Sequence, residues 1–69
     1  MPLTFADINV EYVIKRIQGN PEVKKHLEDI GFVPGANISV IASIGGDLIV
    51  SVKGSKIGID IFLANKILI

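Results

Sequence analysis

Sixty-nine residues carry seven Lys+Arg against seven Asp+Glu, with one His and neither Cys nor Trp. That length allows a single domain, residues 1–69, without a cleft between two lobes. A 49% hydrophobic content excludes a disordered tail, and zero net charge argues against non-specific binding to nucleic acid or anionic lipid. Without cysteine there are no disulfides, thiolate metal sites or thiol catalysis.

Thirteen Ile and seven Val outnumber five Leu and three Phe. Stiff β-branched side chains favour the pleated surface of a sheet, so a small, mainly β domain is expected. The first five residues lack the basic region and apolar stretch of a signal peptide. The apolar runs fall far below the roughly 20 residues that span a bilayer. The expected address is cytoplasmic.

In chain order, Glu11–Ile17 reads as a first strand. Ile14 and Ile17 are three apart, so pointing both inward requires a bulge. Asn20-Pro21 then opens a helix expected over 21–30. Asn accepts an orphan backbone N–H as N-cap, Pro at the first position wastes no donor, and Glu22 suits the positive end of the helix dipole. Val23, Leu27 and Ile30 form its apolar stripe. Gly31 fits the left-handed closing position, which brings Phe32 against Leu27 in a Schellman ending. Pro34-Gly35 turns the chain away.

Four β signals follow. Ile38, Val40 and Ala42 alternate in one strand and Leu48, Val50 and Val52 in the next, with Gly45-Gly46 between them. Matching the apolar faces sets Ile38 opposite Val52, Val40 opposite Val50 and Ala42 opposite Leu48. That register requires an odd loop, Ile44-Gly45-Gly46, and rejects a two-residue Gly-Gly turn. Gly54-Ser55 is expected to turn into a third strand, Lys56–Ile61, in which Ile57, Ile59 and Ile61 share one face and alternate with Lys56, Gly58 and Asp60. Gly58 there signals a bulge or a close backbone approach. Phe62–Lys66 allows one helical turn, and Ile67-Leu68-Ile69 closes the sheet. About five short strands with one helix after the first favour a small barrel over an open sheet with exposed edges.

Chemistry-bearing residues are sparse. His26 is the only imidazole, beside Glu22, Glu28 and Asp29, and lacks a second soft ligand; it is a weak metal candidate, and only across an oligomer. Asp7, Glu11, Asp29, Asp47 and Asp60 are spread singly, Asp47 and Asp60 at turns, so no paired acid and base emerges. Gly45-Gly46-Asp47 and Gly54-Ser55-Lys56 are too short for phosphate loops and precede no helix. The basic pairs Lys15-Arg16 and Lys24-Lys25 are not interleaved with aromatics as a base-stacking platform requires. No catalytic residue and no cofactor are assigned. What remains is apolar surface: Ile41 and Ile49, expected to face each other outside the hairpin, and Leu68. These three are the candidate protein-binding residues, for a partner or for weak self-association.

The order of these motifs is similar to that of a known family. A strand ends Ile14-Lys15-Arg16-Ile17-Gln18-Gly19, and a helix runs into His26-Leu27-Glu28-Asp29-Ile30-Gly31-Phe32-Val33-Pro34-Gly35-Ala36. Ile38-Ser39-Val40, a glycine hairpin, Ile49-Val50-Ser51-Val52-Lys53-Gly54-Ser55 and Ile57-Gly58-Ile59-Asp60 follow. The chain resembles the FeoA family of bacterial ferrous iron uptake over nearly its whole length, most tellingly in the L-x-x-I-G-F-x-P-G-A segment, Leu27 to Ala36. The resemblance implies an SH3-like β-barrel of about five strands that contacts the membrane permease FeoB, whose cytosolic part binds GTP. On that reading the chain meets the membrane only through its partner, is not an enzyme and needs no obligatory cofactor. Two departures stand out. Ile8-Asn9 replaces a frequent Pro-Gly, where Asn still tolerates a left-handed turn. Asp60 replaces a frequent Arg, which removes a basic contact there. Two other readings compete: a module like the C-terminal domain of metal-dependent transcription repressors, though without a DNA-binding half, and a small RNA-binding barrel.

Overall fold

The computed structural model describes all of residues 1–69. A 3₁₀ turn, Leu3–Phe5, leads into β1 (Glu11–Val13), β2 (Arg16–Ile17) and α1 (Pro21–Ile30). After them come β3 (Asn37–Ile44), β4 (Asp47–Val52), β5 (Ser55–Asp60), α2 (Ile61–Ala64) and β6 (Ile67–Leu68). The strands form a four-stranded sheet, β1-β3-β4-β5, and a two-stranded sheet, β2-β6. All the ladders are antiparallel. The fold is mainly β, with six strands where about five were expected.

The extra strand arises at a corner. The expected strand Glu11–Ile17 divides because the chain changes sheets between Ile14 and Lys15. Ile14 N–H donates to Ala36 O at 2.9 Å, next to β3, while Lys15 N–H already donates to Leu68 O of β6 at 2.7 Å. Closing two sheets around one core needs such a turn. It buries both Ile14 and Ile17, which the bulge was expected to do.

Helix α1 has the expected bounds and both expected caps. Asn20 Oδ1 accepts from Val23 N–H at 2.9 Å. At the other end Gly31 has φ +125°. Its N–H donates to Glu28 O at 3.0 Å and the Phe32 N–H to Leu27 O at 2.9 Å, the paired bonds of a Schellman ending. Leu27 and Phe32 are completely buried. Ile30 departs from the expected stripe and is 36% exposed, because the Gly31 turn swings Phe32 into the core in its place.

The β3–β4 hairpin corrects one expectation. Ile38 pairs with Val52 and Val40 with Val50 as anticipated, but Ala42 pairs with Ile49 and Ser43 with Leu48. Ile44 pairs with Asp47, so the turn is the rejected two-residue Gly45-Gly46, with Gly45 at φ +61°. Ile41 is the extra residue of a bulge between Val40 and Ala42. That bulge absorbs the one-residue slip that an even loop would impose on every side chain below it.

Strand β5 has no bulge: its pairing with β4 runs unbroken from Val52↔Ser55 to Asp47↔Asp60. The turn is Lys53-Gly54, one residue earlier than expected, with φ +50° and +78°. Gly58 makes neither a bulge nor an unusually close approach, since a Cβ there would lie 3.5 Å from Ile49 Cδ1, an ordinary contact. Ile61 does not continue the inward face. Asp60 Oδ1 accepts from Leu63 N–H at 2.8 Å and starts α2, which turns Ile61 outward.

Fourteen buried residues, all apolar, make up the core, including Leu3, which sequence patterning did not single out. Leu3 is held there by reciprocal bonds of the adjacent segment to Ile69, just past β6: Met1 N to Ile69 O and Ile69 N–H to Met1 O, each 2.8 Å.

Candidate protein-docking surface

Residue types with reactive potential stay apart. His26 is exposed on α1, and no three His, Asp or Glu side chains converge on a point. The sheet's outer face carries a polar row in register across all four strands, Glu11, Ser39, Ser51 and Lys56. Beside it an open concavity of about 250 Å³ is lined mainly by Glu11, Asn37, Ser39, Ser51 and Lys53. It offers one carboxylate, one ammonium and two hydroxyls with no imidazole to activate them. Such a shelf can hold water or a polar side chain, but it has no nucleophile–base pair.

The three residues picked from sequence do not form one face. Ile41 sits at the bulge and Ile49 lies across from Ala42, so the expected Ile41–Ile49 pairing is replaced by Ala42–Ile49. Both are half-buried. Leu68 is on β6 in the other sheet, opposite Arg16, and is also half-buried. None of the three is strongly exposed.

Several more strongly exposed apolar side chains lie elsewhere. Phe5 is 70% exposed, Phe62 and Ile44 64% each, and Ile61 51%. Three touching segments carry them. The 3₁₀ turn packs on α2, where the Thr4 hydroxyl donates to Asn65 Oδ1 at 2.8 Å. The Ile61 N–H donates to Gly46 O at 2.9 Å, joining α2 to the hairpin tip next to Ile44. Lys66 Nζ stands 5.0 Å from the centroid of the Phe62 ring, close enough for a cation–π contact that orients the ring without burying it. Two aromatic rings and two Ile side chains exposed on neighbouring segments suit a protein-binding surface, since aromatic anchors carry most interface energy. Strand alternation put Ile61 on one face with Ile57 and Ile59 and so hid its exposed position. The available signal was Asp60, an N-cap residue that ends β5 one residue before Ile61.

The whole chain, residues 1–69, matches the family model described as FeoA domain. The chain belongs to the FeoA family. A relative from Methanocaldococcus jannaschii, described as a putative Fe(2+) transport protein A, is 35% identical over 68 residues, covering 99% of this chain and 83% of its own. The crystal structure of Stenotrophomonas maltophilia FeoA, solved with zinc and described as an SH3 domain protein, superposes with a TM-score of 0.86 at 23% identity. The match covers 99% of this chain and 87% of that one. A manganese-dependent transcriptional repressor shares the fold with a TM-score of 0.87 at 17% identity, over 97% of this chain and 39% of its own. The FeoA-family chain is therefore SH3-like, as its two sheets around one core already indicate. Left-handed Asn9, φ +63°, shows that the departure at Ile8-Asn9 leaves the turn intact. No helix is long and apolar enough to cross a membrane.

Proposed function

We propose that this FeoA-family chain is a non-catalytic accessory of ferrous iron uptake that docks on the cytosolic GTP-binding part of a FeoB-type permease. The exposed group Phe5, Ile44, Ile61 and Phe62 is the single observation that carries the docking reading. Family membership supplies the iron-transport context. Ile41, Ile49 and Leu68 remain secondary contact candidates on neighbouring surfaces.

Docking acts on transport only through unequal affinity for the permease's states. A tenfold shift between two states needs about 1.4 kcal/mol of difference. Burying one exposed Phe side chain contributes about 1.5–3 kcal/mol, so a single ring covered in one state and uncovered in the other is enough. The chain would thus bias the permease by contact alone.

The test is ferrous iron uptake in a strain lacking this chain, complemented by the native sequence or by Phe5→Ser with Phe62→Ser. Restored uptake with the native chain and none with the variant is the expected result. Equal rescue by both removes the patch, and uptake that never depended on the chain removes the role. A second reading, a regulatory module, is favoured by the repressor-like fold alone. A change in metal-dependent transcription with unaltered transport would select it.

A further inference from the structure

We propose that the free edge of β5 is a self-pairing surface, through which two copies of the chain join their four-stranded sheets antiparallel about Gly58. The inference is independent of permease docking. Strand β5 ends the sheet, with β4 on one side only. Val52↔Ser55 closes the two-residue Lys53-Gly54 turn, which makes Ser55, Ile57 and Ile59 the residues that bond to β4. The Ile61 N–H bond to Gly46 O continues the same alternation. Lys56, Gly58 and Asp60 therefore turn their backbone groups outward. No loop or side-chain bond reaches their N–H groups, and all three residues are exposed.

Such an edge is a template for another strand unless something specifies or blocks the pairing. Here the charges specify it. With Gly58 opposite Gly58 across a two-fold axis, Lys56 of each copy lies opposite Asp60 of the other, twice by symmetry. Sliding by two residues loses both pairs. Sliding by four sets Lys56 against Lys56, or Asp60 against Asp60. Alternation puts the inward residues Ile57 and Ile59 opposite each other across the same axis. The chain's zero net charge leaves no long-range repulsion between copies.

The experiment is sedimentation velocity over a concentration series, with amide hydrogen exchange at the low and high ends. The native chain is expected to form a dimer, with the Lys56, Gly58 and Asp60 amides protected only at high concentration. Lys56→Glu turns two attractions into two repulsions and is expected to weaken the dimer about tenfold or more, while Lys56→Arg retains it. Exchange in the native chain needs no variant, so misfolding of Lys56→Glu cannot mask the answer. A monomer at every concentration overturns the proposal. So does a dimer that survives Lys56→Glu, or one whose β5 edge amides stay unprotected, which would place the contact elsewhere, as at Phe5 and Phe62.

Discussion

The Thr4 hydroxyl donates to Oδ1 of Asn65 at 2.8 Å, and that bond ties the turn carrying Phe5 to the end of the helix carrying Phe62. Residues far apart in sequence thereby present two aromatic rings from neighbouring segments. Truncating both rings removes contact area but no core packing. Phe5→Ser with Phe62→Ser is expected to change folding stability by no more than about 1 kcal/mol, since surface changes are usually within about 0.5 kcal/mol each. Affinity for the permease domain is expected to fall about 100-fold, as two aromatic anchors at about 1.5 kcal/mol or more each imply. Thermal denaturation and a binding titration on the same samples separate the two effects. Loss of binding in Ile41→Asp with Ile49→Asp, and not in the Phe variant, would move the docking surface to the sheet face.

Asp60 tests whether α2 must be formed for that surface to work. Its Oδ1 caps Leu63 N–H, and loss of a cap costs about 0.5–2 kcal/mol. A four-residue helix has little else to hold its first turn. Asp60→Ala is expected to lower both stability and binding, whereas Asp60→Asn keeps an acceptor oxygen and retains both. Equal losses in the two variants would implicate the charge instead of the cap.

Two glycines should respond very differently to the same substitution. At Gly31, φ is +125° and a Cβ would meet only Lys53 Cδ at 3.9 Å. Space is available there and conformation is not, so Gly31→Ala is expected to cost about 1–3 kcal/mol. Gly58 has ordinary strand geometry and a 3.5 Å contact with Ile49 Cδ1. Gly58→Ala is expected to stay within about 0.5 kcal/mol in a denaturant titration under monomeric conditions.

Lys53 holds φ +50° at the first position of the β4–β5 turn. Asn enters that region more readily than Lys, and Asn-Gly is a favoured two-residue hairpin turn. Lys53→Asn is expected to stabilise the chain by about 0.5–1 kcal/mol, raising the melting temperature by roughly 2–8 °C. An unchanged or lower melting temperature would show that the aliphatic stem of Lys53 matters more than its backbone strain.

Local chemistry was the part of the fold legible in sequence. Asn20, Pro21, Gly31 and Phe32 each perform a short-range task, and α1 and its ending follow from them directly. Non-local balance was harder to read. Face matching correctly set Val40 against Val50, yet it could not show that a bulge at Ile41 would absorb the slip of a Gly45-Gly46 turn. The sheet change at Ile14-Lys15 was hidden similarly, because it depends on β6 arriving some fifty residues later to accept the Lys15 N–H. The exposed position of Ile61 was not legible for one reason: alternation through Ile57 and Ile59 was carried one residue too far, past the cap at Asp60. Ile41, Ile49 and Leu68 were sound choices as surplus apolar residues, but their half-burial is a property of the closed fold.

Contact with one partner carries the proposed role. Its most direct measurement is a titration of the chain into the purified cytosolic domain of the cognate permease, loaded in turn with GTP and with GDP. Saturable binding is expected, with affinities that differ by about tenfold or more between the nucleotide states, the 1.4 kcal/mol that a useful bias requires. Absence of binding in both states, or equal affinity in the two, would contradict it.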